Sequence, residues 1–266
     1  MRRIILVLFF ACLGAGAARA QLFIEEGKVV LAVSGGDRVN KSLTIHNTSK
    51  DPVDVKVYWE DFEYQPPYDG TKNFMPAGSS KTSASQWVSF SPQTFRLPAF
   101  ARQQIDYSVS VPSQVTEGHY GALFFEKAGD NVKTETGVSV IVRVGCLFFI
   151  EPKDKSKKAV ISDIQLGGKK LQGAFTNQGN AILIPRMTYN IMDEREGVVA
   201  DRGEVKKSYV PPGATAQWEI TLPQGLNAAN YTLILNTDLD NGDVIVKEIQ
   251  LSRGASGALE LKNIRD

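Results

Sequence analysis

The chain has 266 residues, enough for two sandwich domains of about 100–120 residues each, a size at which core burial suffices without disulfide bonds. The 30 basic and 29 acidic residues give a formal net charge of +1, and 42% of the residues are hydrophobic. A balance so close to neutral provides no electrostatic driving force for binding nucleic acid or anionic lipid, so neither is an expected partner.

The first twenty residues have the pattern of a secretory signal peptide. Arg2-Arg3 forms a basic start, Ile4–Leu13 is apolar but too short to span a bilayer, and Ala18–Ala20 offers the small residues of a cleavage site. An N-terminal membrane anchor and a lipid anchor on Cys12 are the alternatives, and the short apolar run and the residues before the cysteine disfavour them. We therefore expect a periplasmic or secreted mature chain that begins at Gln21 and has no integral membrane segment.

Removal of this leader changes the charge and the cysteine count. The loss of Arg2, Arg3 and Arg19 lowers the basic count from 30 to 27 against 29 acidic residues, for a net charge of −2. Cys146 is then the only cysteine, so the mature chain forms no internal disulfide and depends on its core for stability.

Alternating patterns predict short β-strands in the first half of the chain. The stretch Gln103–Val111 alternates polar and apolar residues, a period of two that is typical of a half-buried strand. Pro112 ends it, and a turn at Thr116–Gly118 leads into another strand over Tyr120–Glu126. Further strands are predicted at 22–33 in two bursts, 38–47, 53–60 and 87–92. The segment 61–84 has turn composition throughout and is predicted to be a long loop.

Two matching pairs of stretches indicate that one domain occurs twice. In Pro112–Tyr120 and in Pro223–Tyr231 a proline is followed eight positions later by a tyrosine. A second match lies upstream of these two stretches. An apolar strand is interrupted by a turn at Asn47 in the first half of the chain and at Asn177 in the second half. Two matched pairs in the same order favour duplication over chance.

The charged run Glu151–Lys158 predicts the boundary between the domains. We expect immunoglobulin-like sandwiches over 21–151 and 159–252, joined by a hinge over 152–158 whose charges are solvated. The tail over 253–266 has no strong pattern. The expected fold class is all-β, with two sandwiches in tandem.

Residues that carry catalysis are sparse. His46 is expected on the surface, His119 lies in a turn, and Cys146 lies in the most apolar strand, where cysteine is usually an inert hydrophobe. The acidic turn Asp238–Asp243 lacks the spacing of a calcium loop, and its Asn241-Gly242 pair predicts a β-hairpin instead. The sequence contains no phosphate-binding loop, dinucleotide fingerprint or metal-spaced His/Cys set. We therefore expect no enzyme activity, no cofactor and no small-molecule substrate.

The strand predicted at Val138–Ile150 is apolar on both sides, with Arg143 as its sole charge. One row includes Cys146 and Phe148, and the other consists of Ile141, Leu147 and Phe149. An edge strand of a two-layer sandwich normally has one polar face, so something covers the second row. It is either a binding partner or other parts of the chain, namely the 61–84 segment or the second domain.

Together these features resemble the periplasmic pilus-assembly chaperones, a family of tandem immunoglobulin-like domains. The likeness in motif lies in residues 87–152, on Ser91-Pro92, Phe95–Pro98, Pro112, Glu117–Phe125 and Val138–Pro152. The resemblance implies donor-strand complementation, in which the last strand of the first domain binds an incomplete pilin-like subunit in the envelope.

The resemblance also implies two basic residues, on the first and last strands of the first domain, that bind the C-terminal carboxylate of the partner. The place of the family's lysine, counted back from Pro152, falls near Leu147, and the basic candidates on these strands are Lys28 and Arg143. The predicted partner-binding residues are Lys28, Ile141, Arg143, Leu147 and Phe149. The Pro…Gly-x-Tyr stretch also resembles cell-surface immunoglobulin-like proteins, so a non-catalytic structural module of the envelope is the alternative function.

Overall fold

The computed structural model describes residues 22–128, 132–133, 139–140, 143–240 and 242–266. Within these ranges the chain forms β-strands and no helix, arranged as two sandwiches that follow each other along the sequence. The all-β fold class with two tandem sandwiches is therefore confirmed. The predicted leader, Ile141 and Asn241 lie outside the described residues.

The first sandwich is built from two sheets and a short ribbon. Its strands are β1 (Leu22–Ile24), β2 (Lys28–Val33), β3 (Arg38–Asn47), β4 (Val53–Tyr64), β5 (Lys72–Pro76), β6 (Val88–Ser91), β7 (Thr94–Leu97), β8 (Arg102–Ser110), β9 (His119–Ala128), β10 (Val132–Lys133), β11 (Ser139–Val140) and β12 (Arg143–Pro152). One sheet has the order β1-β3-β8-β6 and the other β2-β12-β9-β4-β5, with β7 paired to the start of β4 and β10 paired to β11.

Alternation along β8 places Ile105, Tyr107 and Val109 in the core, as the sequence pattern predicts. The break at 25–27 divides the first segment between the sheets, because β1 pairs with β3 whereas β2 runs parallel to β12. In parallel register Lys28 lies opposite Leu147, and this pairing determines where the edge of β12 becomes covered.

The second sandwich repeats the two-sheet arrangement. Its strands are β13 (Ala159–Gly167), β14 (Lys170–Asn177), β15 (Arg186–Asp193), β16 (Val198–Glu204), β17 (Thr215–Thr221), β18 (Asn230–Asp238), β19 (Val244–Arg253) and β20 (Leu259–Arg265). The sheets have the orders β13-β14-β17 and β16-β15-β18-β19-β20. The tail without a sequence pattern thus includes a strand, β20, which pairs with β19.

The prediction of one long loop over 61–84 is wrong for 61–64 and 72–76, which are strands, and holds for the turns between and after them. β4 continues to Tyr64, and β5 pairs with its last residues to form a hairpin. The prediction failed because the turn residues at 65–71 dominate the composition of this segment. Beyond β5, the fully buried carboxylate of Asp61 accepts hydrogen bonds from the backbone N–H of Ser80 (3.0 Å) and from the hydroxyl of Ser83 (2.7 Å). These bonds hold the following segment against the sheet.

Two buried asparagines have the same bonding pattern in the two domains. The side-chain amides of Asn47 and Asn177 each donate to the carbonyl four residues later, at 2.8 Å. Each also donates to a distant segment, at Leu97 in the first domain (3.2 Å) and Val210 in the second (2.8 Å). Each side-chain oxygen accepts the backbone N–H two residues later. This shared geometry supports the duplication inferred from the sequence.

Candidate functional site

The two rows of β12 have different surroundings. Cys146, Phe148 and Ile150 point into the core of the first sandwich and are completely buried. Leu147 and Phe149 point to the outer face of the sheet, toward the second domain. The structure therefore places Leu147 and Phe149, the two described members of the predicted partner-binding row, on a face between the domains.

Lys28, Leu147 and Phe149 come together on this outer face. Lys28 lies opposite Leu147 in the register of β2 and β12, and its ammonium nitrogen is 4.3 Å from the centre of the Phe149 ring. Such an arrangement is a cation–π contact. The sequence-predicted residues thus form one cluster here, whereas Arg143 lies at the opposite end of the strand.

Phe149 is only 4% exposed, because other parts of the chain cover it. Its ring packs against Phe62 of β4 (5.6 Å between ring centres) and Tyr120 of β9 (5.5 Å), and Ile182 and Tyr209 of the second domain border the same cluster. The 61–84 segment and the second domain, the two parts of the chain considered from the sequence, therefore both help to cover Phe149. Leu147 is half-buried at the rim of the cluster.

Arg143 is held by its own neighbours. Its guanidinium donates to the Glu60 carboxylate (2.8 Å) and the Tyr58 hydroxyl (3.2 Å), and it stacks over Phe124 at 4.1 Å. The Tyr58 hydrogen bond, with the Glu60 charge, raises the pKa of Arg143. Arg143 precedes Leu147 by four positions, about 13 Å along the strand. Arg143 and Lys28 consequently do not form a common anion site.

A cleft of about 190 Å³ lies between the domains beside Lys28. Its lining consists of Lys28, Val30, Phe149, Glu151 and Lys155 from the first domain and the hinge, and of Ile182, Ile184, Leu239 and Asp240 from the second domain. Sequence reasoning missed the second-domain residues, since no local pattern indicates which of them face the first domain.

The charges around this cleft are unequally satisfied. Lys155 pairs with Glu151 (2.9 Å), and Lys157 pairs with Asp240 (3.4 Å) and donates to the Leu239 carbonyl (2.9 Å). In the described part of the chain, no carboxylate lies within ion-pair distance of the exposed Lys28. Lys155 stays exposed, as expected for a charge of the hinge, whereas Lys157 is partly buried.

Among the described residues, no strand pairs with the outer edge of β12 beside Arg143–Cys146, and we call this stretch the open edge. β9 pairs with these residues on one side, but β2 begins its pairing only at Leu147, whose N–H donates to the Gly27 carbonyl at 3.0 Å. Since alternate residues of a strand direct their backbone groups to the same side, Arg143 and Gly145 direct theirs to the open edge. Among the described residues none pairs with them there.

Backbone and side-chain bonds join the domains around Tyr120. Its buried hydroxyl accepts the N–H of Ile182 at 3.0 Å, and burial, together with the nearby Glu151 charge, raises its pKa. The hydroxyl of Tyr231 instead accepts the N–H of Ala228, three residues earlier, at 2.7 Å. Each tyrosine is the second residue of its strand, but only Tyr120 connects the two sandwiches.

The residues considered for catalysis have structural partners. His119 lies 3.0 Å from the Ser83 carbonyl, and His46 lies 2.6 Å from the Glu25 carboxylate. Burial raises the pKa of the Cys146 thiol to about 12. The described residues contain no group of three potential metal ligands, and none of their segments is a helix of the length and apolarity needed to span a membrane.

Comparison with known proteins places the fold. No protein-family model matches the sequence, and no curated protein matches it. The chain is similar to a protein from the chaperone–tip adhesin complex of CFA/I fimbriae biogenesis, with 14% identity over 86% of this chain and 98% of that one, at a TM-score of 0.53. It is also similar to the class 5 fimbriae chaperone CfaA, with 15% identity, coverage of 85% and 98%, and a TM-score of 0.51. The chain has the fold of the pilus-assembly chaperones, with two tandem immunoglobulin-like sandwiches.

Proposed function

We propose that the protein is a non-catalytic periplasmic chaperone that binds a pilin-like subunit by adding a strand of the subunit to the open edge of β12. The observation that carries the proposal is that this edge, Arg143–Cys146, ends beside Lys28. An unpaired edge is a ready template for another strand, and pairing through main-chain hydrogen bonds provides affinity without a specific sequence.

The position of Lys28 favours one direction for the added strand. β12 runs from Arg143 toward Leu147, so a parallel partner strand has its C-terminal end next to Lys28. Its terminal carboxylate then meets an ammonium group that has no described ion-pair partner. An antiparallel strand would direct its N-terminal end toward the same lysine, which offers no charge complementarity.

The apolar character of β12 suits an apolar subunit strand. Val144 and Cys146 point toward the core side at the open end, and the sequence continues this row with Val142, Val140 and Val138. The side chains of these three valines lie outside those that the structure describes. The fimbrial chaperones with the same fold include one from a complex with a tip adhesin, which supports a fimbrial subunit as the class of partner.

Peptide binding to the mature chain tests this proposal. The probe is a fluorescent, N-acetylated peptide of alternating valine and serine, made with a free C-terminal carboxylate, with a C-terminal amide, and with N-methylated backbone amides. A charge-assisted hydrogen bond contributes about 1.5–3 kcal/mol, so we expect Lys28→Gln to weaken binding of the carboxylate form by at least about tenfold. The amide form should bind the unaltered protein as weakly as the carboxylate form binds the Lys28→Gln variant.

Lys170→Gln is the matched control, because Lys170 is an exposed lysine on a strand of the second domain that pairs with Glu219 (2.9 Å). It should leave the affinity unchanged. N-methylation of the peptide should abolish binding, since it removes the donors needed for strand pairing. Equal affinity for the carboxylate and amide peptides, or undiminished binding of the N-methylated peptide, would contradict the proposal.

A further inference from the structure

The turn of the β4–β5 hairpin, residues 65–71, extends from the first sandwich to the second domain; we name it the hairpin tip. It is ordered by its own bonds: the N–H of Gln65 donates to the Thr71 carbonyl (3.1 Å) and the N–H of Tyr68 to the Gln65 carbonyl (2.7 Å). Tyr68 has a φ of 65°, a backbone conformation unusual for a residue with a side chain. The tip therefore has a defined shape that it presents to the neighbouring domain.

Tyr209 of the second domain packs in three ways against this tip and Tyr64, the residue that precedes it. Its N–H donates to the Tyr68 carbonyl at 2.7 Å, and its ring stacks on that of Tyr64 with 4.9 Å between centres and 20° between planes. The ring also lies close to Gly70, where an added Cβ would come within 3.1 Å of it. Burial, with a smaller contribution from Tyr209, raises the pKa of Tyr64 to about 12.

The segment after Tyr209 continues to the wall of the cleft. Val210 and Leu183 exchange two backbone hydrogen bonds, Leu183 N–H to Val210 carbonyl at 2.9 Å and Val210 N–H to Leu183 carbonyl at 2.8 Å. Ile182 and Ile184, on either side of Leu183, line the cleft that contains Lys28. One continuous set of contacts therefore connects the hairpin tip with the second-domain wall of the cleft.

We infer that Tyr209 is a positioning residue: through it, the hairpin tip holds the Ile182–Ile184 wall opposite Lys28, so that the cleft is preformed before a partner binds. This inference rests on the proposed function of the cleft as the site of a partner's C-terminal carboxylate. Preformation matters because a site that is assembled for only part of the time binds with an affinity reduced by that fraction.

The test compares Tyr209→Ala with Tyr209→Phe in the full mature chain. Phenylalanine keeps the ring stack and the backbone bond, whereas alanine removes the ring. Small-angle scattering reports the distribution of distances between the domains, and the carboxylate peptide described above reports the cleft. We expect Tyr209→Ala to broaden the distribution of interdomain distances. It should also lower the affinity for the carboxylate peptide roughly tenfold, the loss expected if the cleft is assembled for about a tenth of the time. Tyr209→Phe should retain both properties.

Tyr189→Ala is the control, because Tyr189 is a partly buried tyrosine of β15 that packs on the core of the second domain. It should lower the melting temperature without changing the distance distribution or the peptide affinity. Tyr209→Ala overturns the inference if the distance distribution stays unchanged, or if it broadens without loss of affinity. Failure of the proposed function would be recognised by a different result. In that case Lys28→Gln would not change the affinity for the carboxylate peptide, whether residue 209 is tyrosine, phenylalanine or alanine.

Discussion

Replacement of Asn177 by alanine should destabilise the second sandwich far more than the loss of a few side-chain atoms suggests. The side chain is completely buried, donates to the carbonyls of Ala181 and Val210 (both 2.8 Å), and accepts the N–H of Gly179 (2.7 Å). Alanine provides none of these bonds. The Val210 carbonyl keeps the N–H of Leu183, so the Ala181 carbonyl and the Gly179 N–H are the groups that lose their hydrogen-bond partner.

Each buried group left without a partner costs about 1–3 kcal/mol, so for these two groups we expect a loss of about 2–6 kcal/mol. That loss is a large part of the roughly 5–15 kcal/mol by which a domain is stable. Urea unfolding followed by tryptophan fluorescence measures it, since Trp218 lies in the second core whereas Trp59 lies in the first. Asn47→Ala should produce a comparable loss, reported by Trp59 and Trp87 of the first domain.

Asn263→Ala is the control for this substitution. Asn263 is exposed on β20, and a surface change of this kind is expected to alter stability by at most about 0.5 kcal/mol. A loss below about 1 kcal/mol for Asn177→Ala would refute the reasoning, because it would mean that the turn satisfies its backbone groups without the asparagine side chain.

The other predictions concern the buried carboxylate, the thiol and the arginine. Asp61→Ala removes the acceptor of three hydrogen bonds, including one from a buried indole at 3.1 Å, and should cost about 3–5 kcal/mol in urea unfolding. Cys146 should resist thiol reagents at pH 8 in the folded protein and react after unfolding. Because burial raises its pKa from 9.0 to about 12, the stability gained from its neutral form is present below pH 9.0 and lost as the pH rises toward 12, a loss that Cys146→Val should reduce. Arg143→Gln should change stability by at most about 1 kcal/mol and leave carboxylate-peptide affinity intact, since its ion pair is partly exposed and far from Lys28.

The sequence predicts those parts of the fold that depend on local pattern. The alternation at 103–111 corresponds to β8 at Arg102–Ser110, and the predicted strand 38–47 coincides with β3. Prediction fails where two signals overlap, as at 61–84, where turn residues conceal the hairpin β4–β5. It also fails for β20, whose Leu259 and Leu261 pack on the core from a tail with many charges.

The candidate site was only partly accessible from the sequence for a related physical reason. Lys28, Leu147 and Phe149 were identified on two strands, but their proximity results from the parallel pairing of β2 with β12. The opposite wall, Ile182 and Ile184, is brought to them by packing between domains, which has no periodicity in the sequence.

The doubly apolar strand β12 illustrates how one pattern serves two purposes. Its outer row is apolar because Phe149 packs under the hairpin and the second domain, so this half of the strand needs no partner molecule. At the open end, by contrast, backbone groups of Arg143 and Gly145 lack a described strand beside them. Side-chain hydrophobicity alone does not distinguish these halves. The distinction comes from where β2 begins, and it directs the search for a subunit to the first residues of β12 rather than to Phe149.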